Sequence, residues 1–135
     1  MARELGVTAS TIVGAIDAVD SLIIKTIGEH EHTIEGTVHA DGLPRVTNIE
    51  GRQFDMVPTG HMVALFNDDT PGMVGKVGEV FGSAKVNIDE MVIGHGDDEG
   101  MAMMIIKTNA AVTPELLKNL SNVDGVSKVA AAEID

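Results

Sequence analysis

The sequence predicts an α+β chain whose second part, after residue 60, runs β-α-β-β-α-β. Three observations predict it. Thr70-Pro71 and Thr113-Pro114 each precede a stretch with helical apolar spacing. Apolar runs at 61–66, 86–93, 101–107 and 126–134 have strand length, and Gly- and Asp-rich turns separate them. Two βαβ halves in this order form the ferredoxin-like split arrangement.

Taken in chain order, residues 2–19 space Leu5, Ile12, Val13, Ile16 and Val19 as one apolar face of a helix, broken near Gly6. Leu22, Ile23, Ile24 and Ile27 then predict a strand leading into a turn at Gly28-Glu29-His30-Glu31. Thr33 to His39 is the returning strand, closed by a turn at Asp41-Gly42. Val46–Ile49 and Gln53–Val57 predict a short hairpin about Glu50-Gly51. Pro58-Thr59-Gly60 reads as a linker, which divides the chain into 1–60 and 61–135.

Beyond the linker, His61–Phe66 predicts a strand and Met73–Ala84 a helix with Met73, Val74, Val77, Val80, Phe81 and Ala84 on one face. Gly75, Gly78 and Gly82 form a second stripe on that helix. A helical glycine costs about 1 kcal/mol relative to alanine, so the stripe predicts that another backbone lies close, from the sheet, a neighbouring helix or a second subunit. Val86–Ile93 predicts a strand, 94–100 an acidic turn holding His95, and Met101–Lys107 an apolar strand. Thr113 and Pro114 open a second helix with Leu116, Leu117 and Leu120 inward, and Val126–Ile134 closes the fold.

Composition narrows the function. The chain has 135 residues, 44% of them hydrophobic, which is enough for a real core. Aromatic residues are only 2%, and 9 Lys and Arg stand against 21 Asp and Glu, a formal net charge of −12. Nucleic acid is therefore disfavoured as a partner, for want of both stacking side chains and positive charge. Without cysteine there is no disulfide, thiolate zinc site or thiolate nucleophile, which fits a reducing compartment. No apolar run approaches the roughly 18 residues of a membrane span. The composition points to a cytoplasmic chain with no membrane partner.

The chemistry concentrates at Asn67-Asp68-Asp69-Thr70-Pro71-Gly72, between the strand and the first helix. Thr70 is the expected N-cap, Pro71 the first helical residue, and Gly72 lets a ligand approach the backbone. Open amides at the positive end of the helix dipole favour a carboxylate. Asp69 suits an ammonium, and Asn67 both donates and accepts. A free amino acid carries the complementary groups. The competing reading is that Asp69 and Thr70 merely cap the helix.

Three weaker features stand apart. His30 and His32, with Glu29 and Glu31, share strand faces in a way that suits a metal, or else form a solvated hairpin tip. Met101, Met103 and Met104 read as adaptable core or interface filler rather than sulfur ligands. Gly72, Gly75 and Gly78 are spaced G-x-x-G-x-x-G inside a helix, unlike the G-x-G-x-x-G of a dinucleotide loop.

In element order, and in Asn67-Asp68-Asp69-Thr70-Pro71-Gly72, Gly75-Lys76-Val77-Gly78 and Val86-Asn87-Ile88, residues 61–135 resemble an ACT domain, the small amino-acid-sensing module. They fit the pattern of the C-terminal domain of D-3-phosphoglycerate dehydrogenase. Glu35-Gly36-Thr37-Val38, Gly42-Leu43-Pro44-Arg45-Val46 and Asn48-Ile49-Glu50-Gly51 resemble the end of an α+β intervening domain that precedes ACT in longer forms of that enzyme. The resemblance implies that L-serine binds where two ACT domains pair, held by Asn67 and Asp69 of one and Asn87 of the other. Asn67 stands where some members have histidine, and Asp69 where some have asparagine. The resemblance also implies an effector-anion site in the first segment, for which Arg45 and Arg52 are the nearest candidates, surface salt bridging being the alternative.

These readings imply a regulatory homodimer or higher homo-oligomer, not an enzyme by itself, which acts on a catalytic domain. That domain would use NAD; no cofactor is implied for this chain. Met1–Val7 matches only the middle of the intervening domain, which implies a standalone regulatory chain, a fragment, or a subunit completed elsewhere. Two alternatives remain: a β chain-like part of an iron-sulfur L-serine dehydratase, whose first loop usually lacks the Asp69-Thr70-Pro71-Gly72 pattern, and a ligand-free dimerisation domain.

Overall fold

The computed structural model describes residues 8–16, 19–27, 32–97 and 100–134. The chain divides into two compact units, Met1–Pro58 and Thr59–Asp135.

In the first unit, β1 (Thr8–Ile16), β2 (Val19–Ile27), β3 (His32–Val38), β4 (Pro44–Ile49) and β5 (Arg52–Met56) form one antiparallel sheet in sequence order. The helix expected over 2–19 is not formed: its described part lies in β1 and the start of β2, paired without a break from Thr8↔Ile27 to Ile16↔Val19. Thr8, Thr11, Ile12, Val13 and Ile16 explain the outcome, because β-branched side chains lose rotamer freedom in a helix and suit a pleated surface. Among its described residues the unit holds strands only, where the sequence reading predicts a mixed α+β segment. The expected turn at Gly28–Glu31 lies outside the described residues. Between β4 and β5 the turn falls at Glu50 (φ 53°) and Gly51 (φ 78°), two consecutive left-handed residues as a two-residue hairpin loop requires.

The second unit follows the predicted order: β6 (Gly60–Asp68), α1 (Met73–Ser83), β7 (Ile88–His95), β8 (Met101–Thr108), α2 (Pro114–Ser121) and β9 (Val126–Ile134). Its antiparallel sheet is ordered β7-β8-β6-β9, so β7 and β9 are the edges. Strand alternation turns Val63 and Leu65 of β6 and Met104 and Ile106 of β8 to one face, where Met73, Val77 and Phe81 of α1 and Leu116 and Leu120 of α2 close the core. Each such fully buried side chain contributes about 1.5–3 kcal/mol of transfer free energy.

The two helices start differently. At α2, Thr113 caps as predicted: its side-chain oxygen accepts from the Leu116 amide at 3.1 Å, and Pro114 occupies the first turn. At α1 the expectation fails. The N-cap is Gly72 in the left-handed region (φ 91°), no side chain caps the helix, and Thr70 and Pro71 lie in the loop before it. Among the described residues the glycine stripe has no close neighbour within the chain: a Cβ built on Gly75, Gly78 or Gly82 meets nothing within 4 Å, which leaves a second subunit among the three expected sources. Neither the sheet nor α2 approaches it. No helix among the described residues is long and apolar enough to cross a membrane.

Candidate functional site

The loop between β6 and α1 is tied to both neighbouring turns at this end of the sheet. The Asp68 amide donates to Gly125 O and the Asp69 amide to Gly100 O, both at 2.8 Å, while the Thr70 amide turns back to Asp68 O at 2.9 Å. Gly72 then sends the chain into α1 through a conformation that L side chains rarely adopt. The Met73 amide turns back to Thr70 O at 3.4 Å, but no side chain caps the helix and no acidic residue stands in its first turn to offset the positive end of the dipole.

Asn67, Asp69 and Gly72 gather here, but in different states. Asn67 is buried, 1% exposed, on the core face of β6. Its Nδ2 donates to Asp68 O at 2.8 Å, and its Oδ1 is buried without a partner. Such an orphan acceptor costs about 1–3 kcal/mol. Asp69 is half exposed, and its Oδ2 lies 2.9 Å from His95 Nδ1. Sequence reasoning left His95 in the acidic turn without a role. It is in fact the last residue of β7, facing the loop, and the signal that finds it is tertiary: Asp69 precedes it by 26 positions.

Asn87 is elsewhere. It directly precedes β7, whose Ile88 pairs with Thr108, itself opposite His61 at the start of β6. Asn67 pairs with Ala102 near the far end of the same ladder, so within one chain the two asparagines are more than about 20 Å apart along the strands, at 3.4 Å per residue. Asn87 is exposed, with its amide on Asn109 Oδ1 at 3.0 Å and its Nδ2 on Asp89 Oδ1 at 2.8 Å.

The two candidate anion-binding arginines are not brought together. Arg45 on β4 pairs with Asp55 at 3.1 Å and Asp41 at 3.5 Å, and hydrogen bonding to Asp55 foremost raises its pKa. Arg52 is 4% exposed on the alternating buried face of β5 with Phe54 and Met56, and its Nη1 donates to Glu50 O at 3.1 Å. Asp55, which holds Arg45, lies on the opposite, exposed face of that strand. His32 contacts Glu50 Oε1 at 3.3 Å, while His30 lies outside the described residues. No group of three or more metal-ligating side chains occurs among the described residues. Gly75 and Gly78 lie within α1, so the residues present do not form a dinucleotide-binding loop.

The fold and the loop at its strand-to-helix junction belong to a known class. Residues 61–125 match the ACT domain family, and the second unit is an ACT domain. Over 96% of its length the chain is 29% identical to a D-3-phosphoglycerate dehydrogenase from Bacillus subtilis, covering 25% of that protein. Over 99% of its length it is 28% identical to one from Archaeoglobus fulgidus, covering 26%. Over 82% it is 31% identical to one from Synechocystis, covering 20%. The chain thus spans about a quarter of the length of the curated relatives it matches, and it is homologous to their ACT region.

Proposed function

We propose that the chain is an amino-acid-sensing regulatory module of a D-3-phosphoglycerate dehydrogenase-like enzyme, with L-serine as ligand between two ACT units. The ligand carboxylate meets the uncapped start of α1 near Gly72, and its ammonium meets Asp69. Asn67 adds an acceptor whose missing donor the ligand, after a small side-chain rotation, supplies. Asn87 comes from the second copy.

One observation carries the reading: Asn87 and the Asn67–Gly72 loop sit at opposite ends of the sheet, yet β7 is a free edge strand. Unprotected edges invite pairing. Antiparallel self-pairing of β7 about a twofold axis, centred on its middle, sets Ile88 of one copy against His95 of the other, so each copy's Asn87 reaches the other's Asp69. The site is then incomplete in a monomer. Ligand binding would stiffen the pair and act on a catalytic domain through the coupling free energy.

Isothermal titration with a panel of amino acids tests this. Saturable L-serine binding is expected, lost in Asp69→Ala and in Asn87→Ala, and restored when the two variants are mixed, since a heterodimer rebuilds one intact site. Silence across the panel would leave a ligand-free dimerisation domain.

A further inference from the structure

The contact between Asp69 and His95 belongs to no part of the reading above, although it occupies the carboxylate assigned to the ligand's ammonium. We propose that His95 competes with that ammonium for Asp69, so that amino-acid affinity falls as the imidazole gains a proton. The inference rests on the site proposed above and adds to it a residue and a regulatory variable.

The geometry carries it. His95 Nδ1 is 2.9 Å from Asp69 Oδ2, and the two side chains remain 62% and 48% exposed. Neither is locked in place, so water, ligand and imidazole all reach the carboxylate. The Asp69 backbone is held independently, through its amide to Gly100 O at 2.8 Å. Changing the charge on His95 therefore alters what the carboxylate attracts without releasing the loop. A neutral imidazole donating from Nδ1 leaves the carboxylate its full charge for an ammonium, and most of its lone-pair sites are free. An imidazolium cancels that charge.

Imidazole is the side chain whose charge changes between pH 5 and 8. Among the described residues, the other charged groups on the segments meeting at this end include the acids Asp68 in the loop, Asp97 after β7 and Asp124 before β9. Lys76 lies a turn into α1, and Lys128 pairs with Phe66 on β9. Across the proposed twofold the second copy adds Asn87, Asp89 and Glu90; in each chain Asp89 bonds Asn87 and Glu90 bonds Lys107. One unit charge about 5 Å from the ammonium, in a water-like dielectric, changes affinity about fourfold.

The test is L-serine titration calorimetry of the full chain at pH 8.0 and 6.0, comparing dissociation constants for wild type and His95→Gln, which keeps a donor but cannot titrate. Wild type is expected to bind more weakly at pH 6.0, by at most about fourfold, and His95→Gln equally at both. Saturable wild-type binding with one constant at both pH values overturns the proposal alone, as does an unchanged pH slope in His95→Gln. No serine binding at either pH removes the underlying site, and the proposal with it.

Discussion

Replacing Gly75, Gly78 and Gly82 together by alanine separates two explanations of the stripe on α1. A Cβ at each position has open space around it, and all three residues lie inside the helix at Met73–Ser83. Nothing among the described residues therefore opposes the gain in helix propensity, about 0.5–1 kcal/mol per site. The sum is about 1.5–3 kcal/mol, and for a domain this small each kcal/mol raises the melting temperature by roughly 4–8 °C. The assay is urea and thermal unfolding over a range of protein concentrations, with light scattering for mass. A stripe left merely exposed predicts stabilisation at every concentration and an unchanged mass in solution. A stripe facing the second copy predicts stabilisation at high dilution together with weaker dimerisation. A loss of stability at high dilution would refute the reasoning, because it requires an intrachain contact that is absent among the described residues.

Further outcomes follow from single residues. Gly125 has φ 96°, and a Cβ there lies 3.0 Å from Met73 Sδ and 3.3 Å from Asp68 Oδ2. Gly125→Ala should cost about 2–3 kcal/mol in urea unfolding, more than Gly72→Ala, whose Cβ meets open space. The Asp41 carboxyl is held below its ordinary range, chiefly by the Leu43 amide and further by Arg45, against the opposing cost of burial. A depressed folded-state value contributes stability that is complete above the unfolded value and lost as pH falls through the folded one. Asp41→Asn should therefore flatten part of the acid limb of stability below about pH 4, as read by unfolding across pH.

The second unit was legible because its signals are local and mutually consistent. Thr113-Pro114 opened a helix as its cap chemistry requires, and the runs at β6, β8 and β9 had strand length with matching apolar faces. Thr70-Pro71 has the same two residues and failed as a helix start, because Gly72 takes a left-handed conformation that delays the helix to Met73. In the first unit, apolar spacing over 2–19 suggested a helix, whereas five β-branched residues and a full-length partner strand decided for a sheet. His95 could not be found locally, since its position is defined by a loop far away in sequence. The burial of Asn67 was equally hidden: a polar residue ending an apolar strand gives no sign of which face it will take.

β6 is clamped along nearly its whole length, by β8 from His61 to Asp68 and by β9 from Gly60 to Asn67. A strand held from both sides neither frays nor slips register without rupturing two ladders together. It behaves as a stiff rod of about 26 Å, with the Asn67–Gly72 loop at one tip and, at the other, Gly60, next to the segment that leads back to the first unit. A displacement of β6 at the loop therefore has to carry β8 and β9 with it.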